Sequence, residues 1–127
     1  MPQYERHFTL EEAREELPEL RRLFQRIHEL IALLREQRME MERIQKLIAS
    51  NGHASKHPDY GAIVGELQGC VNAITDKGIE IKDLEQGLID FPHWRGGNEV
   101  FLCWLYGEED IDYWHAIDGG FSGRTPL

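Results

Sequence analysis

The chain has 127 residues, 41% of them hydrophobic, and a formal net charge of −9 from 23 acidic and 14 basic side chains. That is the length and composition of one globular domain, with enough interior to need no disulfide or metal for its core. No apolar run approaches the ~20 residues that span a bilayer, no basic and apolar leader opens the chain, and the acidic balance argues against nucleic acid and anionic membranes as partners.

Phe8-Thr9-Leu10-Glu11-Glu12 reads as a helix start. The Thr9 hydroxyl can accept from the Glu12 N–H while the Glu12 carboxylate reaches back to the Thr9 N–H, and Phe8 can pack on Ala13 as a hydrophobic staple. Apolar residues then recur at helical spacing: Leu10, Ala13, Leu17, Leu20, Phe24, Ile27, Ile31, Leu34, Met41 and Ile48, with Leu23, Leu30 and Ile44 widening the stripe. Pro18 lies inside this pattern and predicts a kink, or a short first helix followed by a long one. Asn51-Gly52 is a stop signal, so the helix would run about 40 residues, or ~60 Å. Gly52 to Lys56 reads as a loop.

A second helix is expected from about Asp59 to Asp76, with Tyr60, Ile63, Val64, Leu67, Cys70, Val71 and Ile74 as its apolar stripe. Gly61, Gly65 and Gly69 fall in register on the opposite flank. Each weakens a helix by ~1 kcal/mol relative to alanine, so the row suggests either a close neighbour or an exposed helix that tolerates it.

After Gly78 the period changes to that of strands. Ile79 to Lys82 alternates, and Gly87 to Phe91 is short and ends at Pro92. Glu99 to Tyr106 is a continuous apolar run of the kind found in a central strand covered on both faces. Arg95-Gly96-Gly97-Asn98 looks like the hairpin turn before it. Ile111 to His115 could be a fourth strand or a helical turn. The expected fold class is therefore α+β: a long N-terminal antiparallel helix hairpin (8–76), a small antiparallel meander of three to four strands (78–117) and an irregular tail (118–127), all in a single domain, 1–127.

The two cysteines, Cys70 and Cys103, sit among apolar neighbours and read as reduced core thiols of a cytoplasmic protein. The charge is uneven. Residues 1–57 hold about ten acids and ten bases, while residues 76–118 hold about eleven acids against three bases. The second half would attract a metal ion, a cationic ligand or a basic surface, unless its acids merely form a solvated face.

Several phrases of the second half are familiar together: Gly87-Leu88-Ile89-Asp90-Phe91-Pro92, Val100-Phe101-Leu102-Cys103-Trp104, Gly107-Glu108, Tyr113-Trp114-His115 and Gly120-Phe121-Ser122-Gly123-Arg124. With the opening Phe8-Thr9-Leu10-Glu11-Glu12-Ala13 and Leu17-Pro18, they closely resemble an uncharacterised bacterial family, domain of unknown function 2203. The resemblance spans nearly the whole chain except about Arg35 to Tyr60. It implies a small cytoplasmic bacterial protein and carries no activity.

Within those phrases Asp90, Arg95, Glu108, His115 and Arg124 are the candidate ligand-binding residues. Carboxylates, an imidazole and two guanidinium groups could hold an anionic or carboxylate-bearing ligand or exchange protons with it. Spacing places Asp90 and Arg95 at one hairpin end and Glu108 ~23 Å away beyond the next strand, so all five meet only if the tail folds back. The alternative is structural: Asp90 and Arg124 pair with each other or tie down the tail, and His115 hydrogen-bonds in the core. For a divalent metal, His115 with Glu108, Asp110 or Asp112 offers nitrogen and oxygen ligands, although on a strand Asp110 and Asp112 face away from His115. His53, His57 and Asp59 form a second candidate set in a loop. There is no nucleophile elbow or phosphate loop, and Cys103 reads as a core thiol rather than a nucleophile. Trp104, Tyr106, Tyr113 and Trp114 read as core before they read as a pocket lining.

The expectation is a non-catalytic or unassigned domain that forms a homodimer through its helices. The alternative is a small-molecule or divalent-metal-binding protein, enzymatic or not, with its site in the C-terminal half.

Overall fold

The computed structural model describes residues 1–51 and 60–127, with backbone alone for residues 44 and 47–51. The predicted cap forms as read: the Glu12 N–H donates to Thr9 Oγ1 at 3.0 Å, and the Thr9 N–H donates to Glu12 Oε1 at 2.8 Å. From it α1 runs through Leu10–Asn51. Of the two alternatives at Pro18, the short separate first helix does not form, because one helix continues with Pro18 inside it. The missing backbone bond costs on the order of 3 kcal/mol. Burial of Leu17, Leu20 and Phe24 around it, at ~1.5–3 kcal/mol each, outweighs that loss.

Helix α2, Tyr60–Thr75, packs antiparallel on α1. Arg26 NH2 donates to Glu66 Oε1 at 2.8 Å and Lys77 Nζ to Glu16 at 2.6 Å, so the start of α1 lies beside the end of α2. The predicted stripe of α2 splits. Ile63 and Ile74 are buried, whereas Tyr60 and Val64 point to solvent. A Cβ added at Gly61, Gly65 or Gly69 would meet nothing within 4 Å, so no part of the described chain approaches the glycine flank. No helix among the described residues is long and apolar enough to cross a membrane.

Five strands follow: β1 Glu80–Asp83, β2 Leu88–Arg95, β3 Asn98–Leu105, β4 Tyr113–Ala116 and β5 Thr125–Pro126, paired antiparallel in that order. The sheet thus has five strands where three to four were expected, since two residues of the tail return to pair with β4. The hairpin between β2 and β3 turns on Gly96 and Gly97, with φ of 56° and 81°; two successive positive angles match the right-handed twist of the flanking strands.

Residues directly opposite across a ladder share a face. Ile89, Phe91, Leu102 and Trp104 face the helices and join Phe8, Ala13, Leu17, Leu20, Phe24, Ile27, Ile74, Ile79 and Ile111 in the core. Asp90, Pro92, Phe101, Cys103, Tyr113 and His115 lie on the other face. That face is covered by the two ends of the chain. Tyr4 meets Phe101 edge to face at 5.3 Å, and the Arg124 guanidinium lies 4.1 Å from the Tyr113 ring centre. Glu99 anchors the N-terminal segment by accepting from Gln3 N, Tyr4 N and His7 Nε2. Beside β2, the Phe8 N–H donates to the Pro92 carbonyl at 2.7 Å, and His93 Nδ1 donates to the Phe8 carbonyl at 2.7 Å.

Strand β3 is buried from Val100 to Trp104, as its unbroken apolar run predicts. With a strand on each side and both faces covered, its amides open only with the whole fold. Hydrogen exchange should place Val100 to Leu105 among the slowest amides. Exchange there at the rate of loop amides would contradict this arrangement.

Candidate functional site

The ladder register places three polar side chains on the face away from the helices. Asp90 on β2 lies opposite Cys103 on β3, and His115 on β4 lies opposite Phe101, two residues from Cys103 on the same face. His115 Nε2 is 3.0 Å from Asp90 Oδ1, and the Cys103 thiol donates to the Asp90 carboxyl. The three residues are 1%, 0% and 2% exposed, in the order Asp90, Cys103, His115. Asp90, Cys103 and His115 each offer one ligating atom, and these atoms lie within 4.8 Å of one another.

The proton positions follow from the partners. His115 Nδ1 is 2.7 Å from the Ala116 carbonyl; a carbonyl oxygen only accepts, so Nδ1 carries a hydrogen. The Nε2–Oδ1 contact is then favourable only with one further proton shared by the pair, as imidazolium with carboxylate or as imidazole with carboxylic acid. Burial raises the Asp90 carboxyl above its usual range, against the pull of His115. Burial, and then the Asp90 charge, push the Cys103 thiol up to about 12. Cys103 is therefore a protonated thiol at neutral pH, unsuited to nucleophilic attack.

Cys70 is also free and only partly buried. A thiol reagent such as dithionitrobenzoate should label Cys70 readily in the folded chain and Cys103 only on unfolding. Rapid labelling of both would show that the covering segments do not seal the sheet.

The remaining predicted residues go elsewhere. The expectation that Asp90 and Arg95 share a hairpin end is corrected: β2 continues through Pro92, leaving Asp90 mid-strand and Arg95 at the tip, where its guanidinium lies 4.8 Å from the Trp114 ring centre. Pro92 is tolerated because a residue's N–H and C=O point the same way along a strand. Its carbonyl faces Phe8, so the missing donor is lost from that side and not from the ladder to β3. Glu108 does not join His115. It accepts from Arg124 Nη2 through both carboxylate oxygens, at 2.7 and 2.9 Å, and from the Leu105 N–H at 2.7 Å. Asp110 pairs with Arg14 at 2.9 Å, and the Asp112 carbonyl holds the Leu127 N–H. His53, His57 and Asp59 lie outside the described residues.

The tail does fold back, but the five signature residues form two pairs and a lone arginine rather than one pocket. The residue that reasoning from sequence missed is Cys103. Its signal was the two-residue alternation that puts Asp90, Cys103 and His115 on one face once the hairpin register is known.

Fold and site together define an α+β chain: a five-stranded antiparallel meander packed on a long helix, with an Asp–Cys–His cluster sealed on its far face. Residues 6–127 match the family described as uncharacterized conserved protein (DUF2203), and the chain belongs to that family. No curated protein and no solved structure matches it.

Proposed function

We propose that the chain is a non-catalytic domain of the bacterial cytoplasm that associates with a second copy through its helices. The observation that carries this reading is the set of exposed apolar side chains on the two helices. Leu33, Met39 and Met41 on α1 and Tyr60 and Val64 on α2 are exposed, Met39 at 70%. A compact body of this length is roughly 36 Å across, while the 42 residues of α1 extend ~63 Å, so the helix outreaches the body that could cover it. Burying such side chains is worth ~1.5–3 kcal/mol each, and one twofold contact would bury two sets. On the sheet, four of the five signature side chains are held in the pairs Asp90–His115 and Glu108–Arg124. Two free thiols suit a reducing compartment.

Sedimentation equilibrium at micromolar concentration tests the reading. A dimer is expected, and a clean 14.8 kDa species would exclude it. Gly65→Leu sharpens the test, since the new side chain meets nothing within its own chain. If the glycine flank is the contact, the variant shifts toward monomer while keeping its helical content.

A further inference from the structure

We propose that Asp90, Cys103 and His115 bind a divalent ion of the zinc class, through a carboxylate oxygen, Sγ and Nε2. Zinc takes such ligands at ~2.0–2.3 Å in a tetrahedron, so neighbouring ligand atoms in a loaded site stand roughly 3.3–3.6 Å apart. Here all three lie within 4.8 Å of one another, with Nε2 and Oδ1 at 3.0 Å. The loaded geometry is reached by movements of tenths of an ångström to about an ångström.

Three adjacent strands present the ligands on one face, so the backbone ladder holds the set together without the ion. His115 carries the outer contact that metal-bound histidines usually have: Nδ1–H donates to the Ala116 carbonyl, which fixes the ring with Nε2 facing Asp90 Oδ1. A sulfur, a nitrogen and one carboxylate favour a borderline-soft ion over magnesium or calcium, which prefer oxygen ligands throughout.

Charge and atoms balance. On loading, the S–H bond of Cys103 and the proton shared by Asp90 and His115 are given up, three metal–ligand bonds form, and two protons leave as two positive charges arrive. The buried cluster keeps its net charge, which a monovalent ion would not allow. The fourth position is left to a small ligand such as water or hydroxide. Arg124, whose charge acts on Cys103, has a buried Nε with no partner among the described residues. This set replaces the His115–Glu108 pairing expected from sequence, and it is independent of self-association.

Cobalt(II) is the probe, because a thiolate–cobalt bond gives an intense near-ultraviolet band and tetrahedral coordination gives strong visible bands. The full chain carrying Cys70→Ser retains Cys103 as its one cysteine. It is refolded from denaturant with one equivalent of cobalt after chelator treatment. The expected result is one cobalt per chain with both sets of bands, bleached by zinc. The bands should survive His53→Ala with His57→Ala, and they should be lost in His115→Ala. A refolded Cys70→Ser chain without the thiolate band overturns the proposal. So does a band that depends on His53 and His57, or one that persists in His115→Ala. The first of these outcomes needs no change within the cluster, so a variant that fails to fold does not obscure it.

Discussion

Replacing His115 with alanine in chelator-treated protein is expected to lower the melting temperature by about 12 °C. His115 and Asp90 are both buried and bonded at 3.0 Å. Removing one partner leaves the Asp90 carboxyl buried without its proton-sharing neighbour, while the Ala116 carbonyl still accepts from the Gly119 N–H. Orphaned buried hydrogen-bonding groups cost ~1–3 kcal/mol, and breaking a buried charged pair costs ~3–5 kcal/mol. The two ranges meet at about 3 kcal/mol, and a domain of this size loses roughly 4 °C per kcal/mol. The double variant Asp90→Ala with His115→Ala should lose less than the sum of the singles, because residues in one contact are coupled. Thermal melts of the three variants check this. A drop of only one or two degrees for His115→Ala, or strict additivity, would show that the pair does not hold the sheet.

Trp104→Ala should have an effect at least as large. Trp104 is fully buried on the helix-facing side of β3, beside Phe24 and Tyr106, and its Nε1–H donates to the Glu108 carbonyl at 3.1 Å. Truncating a buried tryptophan costs ~3–5 kcal/mol, a large share of the ~5–15 kcal/mol that holds a typical domain together. The change also frees the turn whose Glu108 carboxylate grips Arg124, so the tail should loosen with the core. Trp104→Phe keeps most of the packing and loses the hydrogen bond, and should cost about 1 kcal/mol. Urea titration gives both values. A small loss for Trp104→Ala would mean that β3 does not press on α1.

What the sequence made legible was local or strongly periodic. The Thr9–Glu12 cap, the stripe of α1, the Gly96–Gly97 turn and the apolar run of β3 each depend on residues close in the chain. Pro92 was misread as a strand end, because whether a proline interrupts a ladder depends on which neighbour its missing N–H would have faced. The site was half legible. Asp90 and His115 stood out by type and phrase, but their meeting depends on the β2–β3–β4 register. Cys103, apolar on both sides in sequence, becomes a polar neighbour only when Asp90 is set opposite it. Strand β5 escaped notice because its two residues, Thr125 and Pro126, are too few to carry an alternation.

The path of the N-terminal segment has a consequence for solubility. β1 pairs with β2 no further than Glu80 opposite Asp90, so the last five residues of β2 reach beyond it. An uncovered half-strand of this kind, apolar at Phe91 and Pro92, is where foreign chains add themselves by backbone pairing and where aggregates start. Pro92 offers no donor on that side, and its carbonyl is already taken by Phe8. The segment that roofs the polar cluster with Tyr4 thus also blunts the sheet edge, and the chain guards against templated misassembly with its own first eight residues.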